Sequence, residues 1–232
     1  MNSVPDLAVL VPSRGRPKNV ARLIEACAKT CRANTVLHFG FDEDDDTLGT
    51  LAADLTGPRH WPAIPCMATV RPRMGLAHWT NYLSALNEDA PWQASIGDDM
   101  VPLTDGWDER LCEAAGPAGM AYPNDRRRYD IPEAIVISTS LVRALGWFCQ
   151  PSLSHWFVDA VWRDIGTLAG CLRYLPDVVV EHRHPNVPGS GARHDATYGD
   201  AAAEYARDLA AYQKWRMKRM RADIETVREC RR

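Results

Sequence analysis

The stretch "LAVLVPSRGRPKNVARLIEAC", residues 7–27, decides the fold. Its first six residues are a continuous apolar run stopped by Pro, Ser and Gly, as a buried strand would be. Beyond it, Val20, Leu23, Ile24 and Cys27 recur at helical spacing, so a strand runs straight into a helix. The alternation continues outward. "TVLHFGF" (35–41) predicts a second strand, a short helix is expected over 47–55, and "MATV" (67–70) reads as a third strand after the Pro-rich "GPRHWPAIP". "GLAHWTNYLSALNED" (75–89) predicts another helix and "WQASIG" (92–97) a fourth strand. Strands alternating with crossover helices imply an α/β fold with a mostly parallel, doubly wound central sheet flanked by helices.

The second half is less regular. "AIVIST" (134–139) predicts a strand, and "HWFVDAVWRDIGTLAG" (155–170) a helix with Ser154 as its N-cap. "CLRYLPDVVVEHRH" (171–184) reads as two short strands broken at Pro176, and the Gly/Pro/Ser-rich segment 185–200 as a mobile loop. A single long helix is expected from 200 to about 229, with Tyr205, Leu209, Tyr212, Met220, Ile224 and Val227 as its apolar stripe. The expected organisation is one domain over 1–199, with halves at 1–100 and 101–199, followed by a C-terminal helical extension over 200–232.

Composition narrows the class. The chain has 232 residues, 46% of them hydrophobic, and a formal charge of −3, which suits an ordinary globule with no global field for nucleic acid or membranes. The charge is unevenly spread, because Arg207 to Arg232 carries nine Lys and Arg against four Asp and Glu. Seven cysteines without a CxxC pair argue against a disulfide framework and for a reducing compartment. With no secretory leader and no membrane-length apolar run, the expectation is a cytoplasmic protein without a membrane span.

In doubly wound sheets, ligands bind beyond the carboxyl ends of the strands. Here those positions read "SRGRP", "DEDDD", "RPRMG" and "DDM", so arginines and carboxylates converge on one edge. The run 42–46 is not an EF-hand loop, since Thr47 stands where Gly is needed and Ala53 where the bidentate Glu belongs. It is either a solvated turn or a source of one carboxylate, Asp42 or Asp44, for a nucleobase N–H. "SRGRPK" lacks the GxxxxGK[ST] phosphate loop, leaving Arg14 and Arg16 as ligand contacts or as surface charges.

"GDDM" (97–100) is the sharper signal. Neighbouring side chains on a strand face opposite ways, so Asp98 and Asp99 share a target only if the strand has already ended. One is expected to face a ligand, with Mg2+ or Mn2+ as the hard cation that carboxylate oxygen favours. His182 and His184, two apart, share a side at the end of "VVVEHRHP" and could supply a metal or phosphate contact, which points to Mn2+. Asp159, among Trp156, Phe157, Val161 and Trp162, either caps its helix or acts as a base.

Taken in order, "VPSRGRP", a second strand ending in Asp, "RPRMGLAHWTN", "GDDM", "HWFVDAVW" and "VVVEHRHP" resemble the family 2 type of nucleotide-sugar glycosyltransferases of GT-A fold, most closely its short, phage-like members. The likeness spans about residues 5–185. It implies a nucleoside-diphosphate sugar donor, a UDP-sugar in the first instance, and transfer to an acceptor hydroxyl with inversion. It implies that Pro12, Ser13, Arg14, Arg16 and Asp42 or Asp44 hold the nucleobase end, that Arg71, Gly75 and Asn81 line the pocket, and that Asp98 contacts ribose or supports the metal. Asp99 then binds Mn2+ or Mg2+, with His182 or His184 as the late ligand, and Asp159 is the general base. Two departures stand out: Gly97 occupies the first place of the usual Asp-x-Asp, and Val158 precedes Asp159 where the family has Glu.

The acceptor is left open among a glycan, a protein and hydroxymethylated phage DNA. The last of these would be reached through Arg126–Arg128 or the basic C-terminal helix, in which Lys214, Arg216, Lys218, Arg219 and Arg221 could equally be a solvated face. A sugar nucleotidyltransferase and a non-catalytic nucleotide- or glycan-binding protein are the rival readings.

Overall fold

Strand β1 (Leu7–Ser13) is buried on both faces, with Leu7 to Val11 all 0% exposed, which explains why its sequence is a continuous apolar run. The computed structural model describes residues 4–51, 64–184 and 196–232. After β1 come α1 (Pro17–Thr30), β2 (Thr35–Asp42), β3 (Cys66–Arg71), α2 (Leu76–Leu86), β4 (Trp92–Ser95) and β5 (Met100–Pro102). Then follow α3 (Trp107–Ala115), β6 (Met120–Asn124), β7 (Ile135–Ser138), α4 (Thr139–Leu145), α5 (Val158–Ala169), β8 (Leu172–His182), α6 (Ala196–Lys218) and α7 (Met220–Cys230). Residues 48–51 are helical, and the rest of the short helix expected there lies outside the described residues.

The eight strands form one sheet in the order β3-β2-β1-β4-β7-β6-β8-β5. β1 pairs in parallel with β2 and β4, and β2 with β3, so the first half is the parallel sheet expected from the sequence. β7 then runs antiparallel to both β4 and β6, and β5 antiparallel to β8. The sheet is therefore mixed.

Helices cover both faces. Leu7, Val9 and Val11 point into one core with Leu23 and Ile24 of α1 and Trp107 and Leu111 of α3. Ala8 and Leu10 point into the other, with Trp79 and Leu83 of α2, Leu141 of α4, and Val161, Trp162 and Ile165 of α5. Tyr212, Trp215, Ile224 and Val227 of the C-terminal helices join that second core.

Several expectations change. β8 is one strand of 11 residues: Pro176 falls where its register on β6 slips from Pro123↔Leu175 to Asn124↔Val179, so the break is a bulge. The C-terminal helix is two helices, separated at Arg219 (φ −126, ψ −32). Its buried stripe includes Trp215, while Tyr205 is 44% exposed and packs its ring on Trp156 and Phe157. Ser154 does not cap α5, which begins after Phe157 in a left-handed conformation (φ 68, ψ 6). The loop expected over 185–200 is helical from Ala196, and 185–195 lies outside the described residues. All seven cysteines are free, and among the described residues no helix is long and apolar enough to cross a membrane.

Candidate active site

β4 stops at Ser95, so Asp98 and Asp99 lie in the turn before β5, where alternation no longer separates them. Both engage one guanidinium: Arg16 Nη1 lies 3.1 Å from Asp98 Oδ1 and 3.7 Å from Asp99 Oδ2. Ser13 Oγ, at the end of β1, donates to Asp98 Oδ2 at 2.5 Å. Burial pushes the Asp98 carboxyl up to about 6 against the pull of Arg16, with Asp99 adding to the rise. Ser13, Arg16, Asp98 and Asp99 thus form one unit, in which Asp98 is the more enclosed carboxylate.

Asp99 faces His182. The His182 Nε2 atom lies 3.5 Å from Asp99 Oδ2, and Nδ1 lies 2.6 Å from Glu133 Oε2. Burial alone would lower the His182 pKa, but its bonds to Asp99 and Glu133 outweigh this and hold it up at about 9. Burial would raise Glu133, but His182 and Arg127 draw it below its ordinary value; Arg127 Nη1 lies 3.0 Å from Glu133 Oε1. The ring of His184 stands perpendicular to that of His182 at 5.3 Å between centroids.

Asp125, Glu133 and His182 each bring a ligand-capable atom within 4.8 Å of the others. Asp125 is 2% exposed, its Oδ1 accepts from the amides of Arg127 and Arg128, and among the described residues its Oδ2 finds no donor; burial, with the nearby Glu133 carboxylate adding to it, raises the Asp125 pKa. Two carboxylates and an imidazole are donors that suit a borderline-hard divalent cation, while Asp99 meets the other ring nitrogen of His182, at 3.5 Å from Nε2. Arg127 on Glu133 disfavours that carboxylate as the main ligand.

Sequence reasoning missed Glu133 because β7 reverses, and Asp125 because β6, whose carboxyl end it follows, is not among the expected strands. The start of β7, two residues after Glu133, meets the same edge as the ends of β1, β4 and β6. Applying the carboxyl-end rule also to the starts of antiparallel strands would have found Glu133.

A second cluster lies after β2. Arg14 Nη1 donates to Asp42 Oδ2 at 3.1 Å and to Asp44 Oδ1 at 2.5 Å, so both nucleobase candidates are bound to one arginine. The Asp42 Oδ1 atom also accepts from Trp79 Nε1 at 2.7 Å and from the Met74 amide at 3.2 Å. Gly40 makes room for that indole, because a Cβ there would come within 2.5 Å of the Trp79 ring. Asp45, 6% exposed, accepts from the Gly15 amide at 2.7 Å and from Thr47. The acidic run is therefore a loop clasped through Asp42 and Asp45, with Glu43, Asp44 and Asp46 exposed.

The remaining expected pocket residues separate. Pro12 pairs with Gly40 in the β1–β2 ladder. Arg71 ends β3 and lies over the Tyr82 ring at 5.2 Å. Gly75 caps α2 and is closely approached by Ser154, whose oxygen would be 3.1 Å from a Cβ. Asn81 is committed to the backbone: its Oδ1 accepts from the amides of Phe148 and Cys149 and its Nδ2 donates to Cys149 O. Asp159 lies in the first turn of α5, accepts the Ala160 amide at 2.7 Å, and is pushed up to about 6, chiefly by burial. Glu133 is close enough to add to that rise, which links the base candidate to the His182 group.

No family model matches the chain, and no curated protein matches it in sequence. Solved structures do match in fold. The mannosyltransferase PcManGT from Pyrobaculum calidifontis, in complex with GDP-Man and Mn2+, aligns with TM-score 0.65 at 12% identity over 99% of this chain and 74% of its own. Residues 1–349 of S. aureus TarS, in complex with UDP, align with TM-score 0.57 at 11% identity over 75% of this chain. The same TarS segment with UDP-GlcNAc gives 0.55 at 12%. This chain spans 59% of the length of TarS 1–349. At such identities what is shared is the fold, the GT-A-type α/β sheet expected from the sequence.

Proposed function

We propose that the protein is a glycosyltransferase that moves a sugar from a nucleoside diphosphate sugar to an acceptor hydroxyl. The observation that carries this reading is the meeting of Asp99 with His182 at the carboxyl edge of the sheet, joined through Glu133 to the raised carboxyl of Asp159. The fold neighbours hold UDP, UDP-GlcNAc, and GDP-Man with Mn2+, which supports a donor of that class.

In this reading Ser13, Arg16 and Asp98 bind the nucleotide next to the diphosphate, and Arg14, Asp42 and Asp44 form the nucleobase end. Asn81 serves the site indirectly, by fixing the backbone of residues 148–149. Asp99 and His182 would hold Mn2+ or Mg2+, with His184 beside them. When bound, that cation neutralises charge on the departing nucleoside diphosphate. Asp159 takes the proton of the acceptor hydroxyl as its oxygen attacks the anomeric carbon, the bond from that carbon to the diphosphate oxygen breaks, and configuration inverts. A carboxyl titrating near 6 is a stronger base than an ordinary aspartate and is still ionised at neutral pH.

The acceptor is a hydroxyl of a glycan, a protein or DNA. DNA is the least supported, because Arg216 pairs with Asp164, Arg219 with Asp223 and Arg228 with Glu225, which draws much of the basic helical surface into intramolecular contacts. The test is a thermal-shift screen of UDP- and GDP-sugars with and without Mn2+, followed by assay of the released nucleotide. Metal-dependent stabilisation together with release of UDP or GDP supports the reading. Release of pyrophosphate from a nucleoside triphosphate would make it a nucleotidyltransferase, and binding without turnover a binding protein.

A further inference from the structure

Asp208, on α6, is 0% exposed and gathers three successive backbone amides from the segment entering α5. The amides of His155 and Trp156 donate to its Oδ2 at 2.8 and 2.9 Å, and that of Ser154 lies 3.2 Å from both oxygens. Arg207, its neighbour, donates to Ser154 Oγ. A buried carboxylate is costly unless hydrogen bonds meet its charge, and converging amides form an anion-holding turn. Here the protein supplies the anion itself, from a helix more than fifty residues downstream.

The captured segment has little slack. Ser154 O accepts the Ala77 amide at 2.8 Å at the start of α2, where Gly75 packs against it. Phe157 then adopts the left-handed conformation (φ 68) that a residue with a side chain resists, and Asp159 follows two residues later. Strain of this kind persists only where the surroundings enforce it. Asp208 enforces it from one side and α2 from the other. His155, held by the same carboxylate, lies within electrostatic reach of Asp99 and Arg16, so the segment runs between the two halves of the site.

We propose that Asp208 is a positioning residue: by clamping the amides of 154–156 it fixes the Phe157 corner and thereby the place of Asp159. The C-terminal helix is then part of the catalytic apparatus. The assignment rests on the reading of Asp159 as the base.

Two measurements test it on Asp208→Ala and Asp208→Asn in the full chain. Hydrogen exchange is followed in the peptide covering 153–158, and hydrolysis of UDP-glucose, UDP-GlcNAc and GDP-mannose with Mn2+ is followed without acceptor. Faster exchange confined to that peptide is expected, with kcat lower by about 100-fold and donor KM changed by less than about 3-fold. In an Asp159→Asn background, Asp208→Asn should cost nothing further, because the group it positions is already gone. Unchanged exchange at 154–156, or an equal loss of rate in both backgrounds, overturns the proposal. If Asp208→Ala does not fold, Asp208→Asn keeps the shape and one acceptor oxygen and carries the test. If the wild-type protein hydrolyses none of the three donors, the base reading fails, and the exchange experiment still decides whether Asp208 holds the corner.

Discussion

His182 joins Asp99 to Glu133, with Nε2 3.5 Å from one carboxylate and Nδ1 2.6 Å from the other. A metal-binding histidine commonly donates its second ring N–H to a carboxylate, which fixes the tautomer and turns the other nitrogen to the ion. Glu133→Ala should therefore weaken Mn2+ binding by about 10- to 100-fold, read by calorimetry or by the EPR signal of free Mn2+. Undiminished affinity would leave Glu133 only a partner of Arg127.

Replacing Asp159 with Asn should lower turnover by about 10²- to 10⁴-fold, leaving a measurable residue, with donor binding nearly intact. The same change should raise stability. The folded-state carboxyl titrates near 6, above its ordinary 3.8, so ionising it opposes folding at neutral pH. Removing that ionisation should gain about 1–2 kcal/mol at pH 7.5, the figure being reduced for partial solvent access, and thermal melts of both proteins would show it. A variant that turns over like the wild type removes Asp159 from the mechanism.

Stability of the metal-free protein should fall as pH rises from about 4 to 9.5. Asp98 and Asp159, both raised from 3.8 to about 6, stabilise the fold when protonated, a contribution full below 3.8 and lost by the time pH has risen through 6. His182, raised to about 9, contributes fully below its ordinary 6.5, and that part is lost as pH rises through 9. Calorimetric melting temperatures in EDTA check both. A flat profile would mean that these groups titrate at their ordinary values.

Gly40→Ala should destabilise the protein by about 1–3 kcal/mol, because the new methyl meets the Trp79 ring at 2.5 Å and the ring is tied to Asp42. Denaturant unfolding measures the loss. Trp79→Phe in the same background should recover part of it by opening space.

Much of this site was legible in the sequence, for a physical reason. Ser13, Asp42, Asp98, Asp99 and His182 follow or end strands whose apolar runs are unmistakable, and strand ends on one edge must be neighbours. Glu133 was not legible, since nothing local signals that β7 runs against β4, and Asp125 was not, since the short strand β6 before it carries Pro123 and no alternation. Asp208 was hidden for a different reason: its partners are backbone amides more than fifty positions away, which no residue pattern encodes. The separation of α6 from α7 at Arg219 occurs without Gly or Pro and follows from how Trp215 and Ile224 reach a shared core. Asn81 shows the converse, a residue whose motif position suggested a ligand while its amide holds the backbone of 148–149.

The bulge in β8 lets one strand serve two partners, β6 with its first part and β5 with its last. Met100 is thereby set opposite His182, and the Arg183 amide donates to Asp99 O at 2.9 Å. The approach of the carboxylate to the imidazole is consequently written in the ladder of the backbone. Inserting or deleting one residue between Met100 and Pro102 would turn Met100 to the opposite face and move the Asp99 turn one place against His182, with every side chain of the site still present. Length in this short segment should therefore tolerate change far less readily than the identity of its side chains.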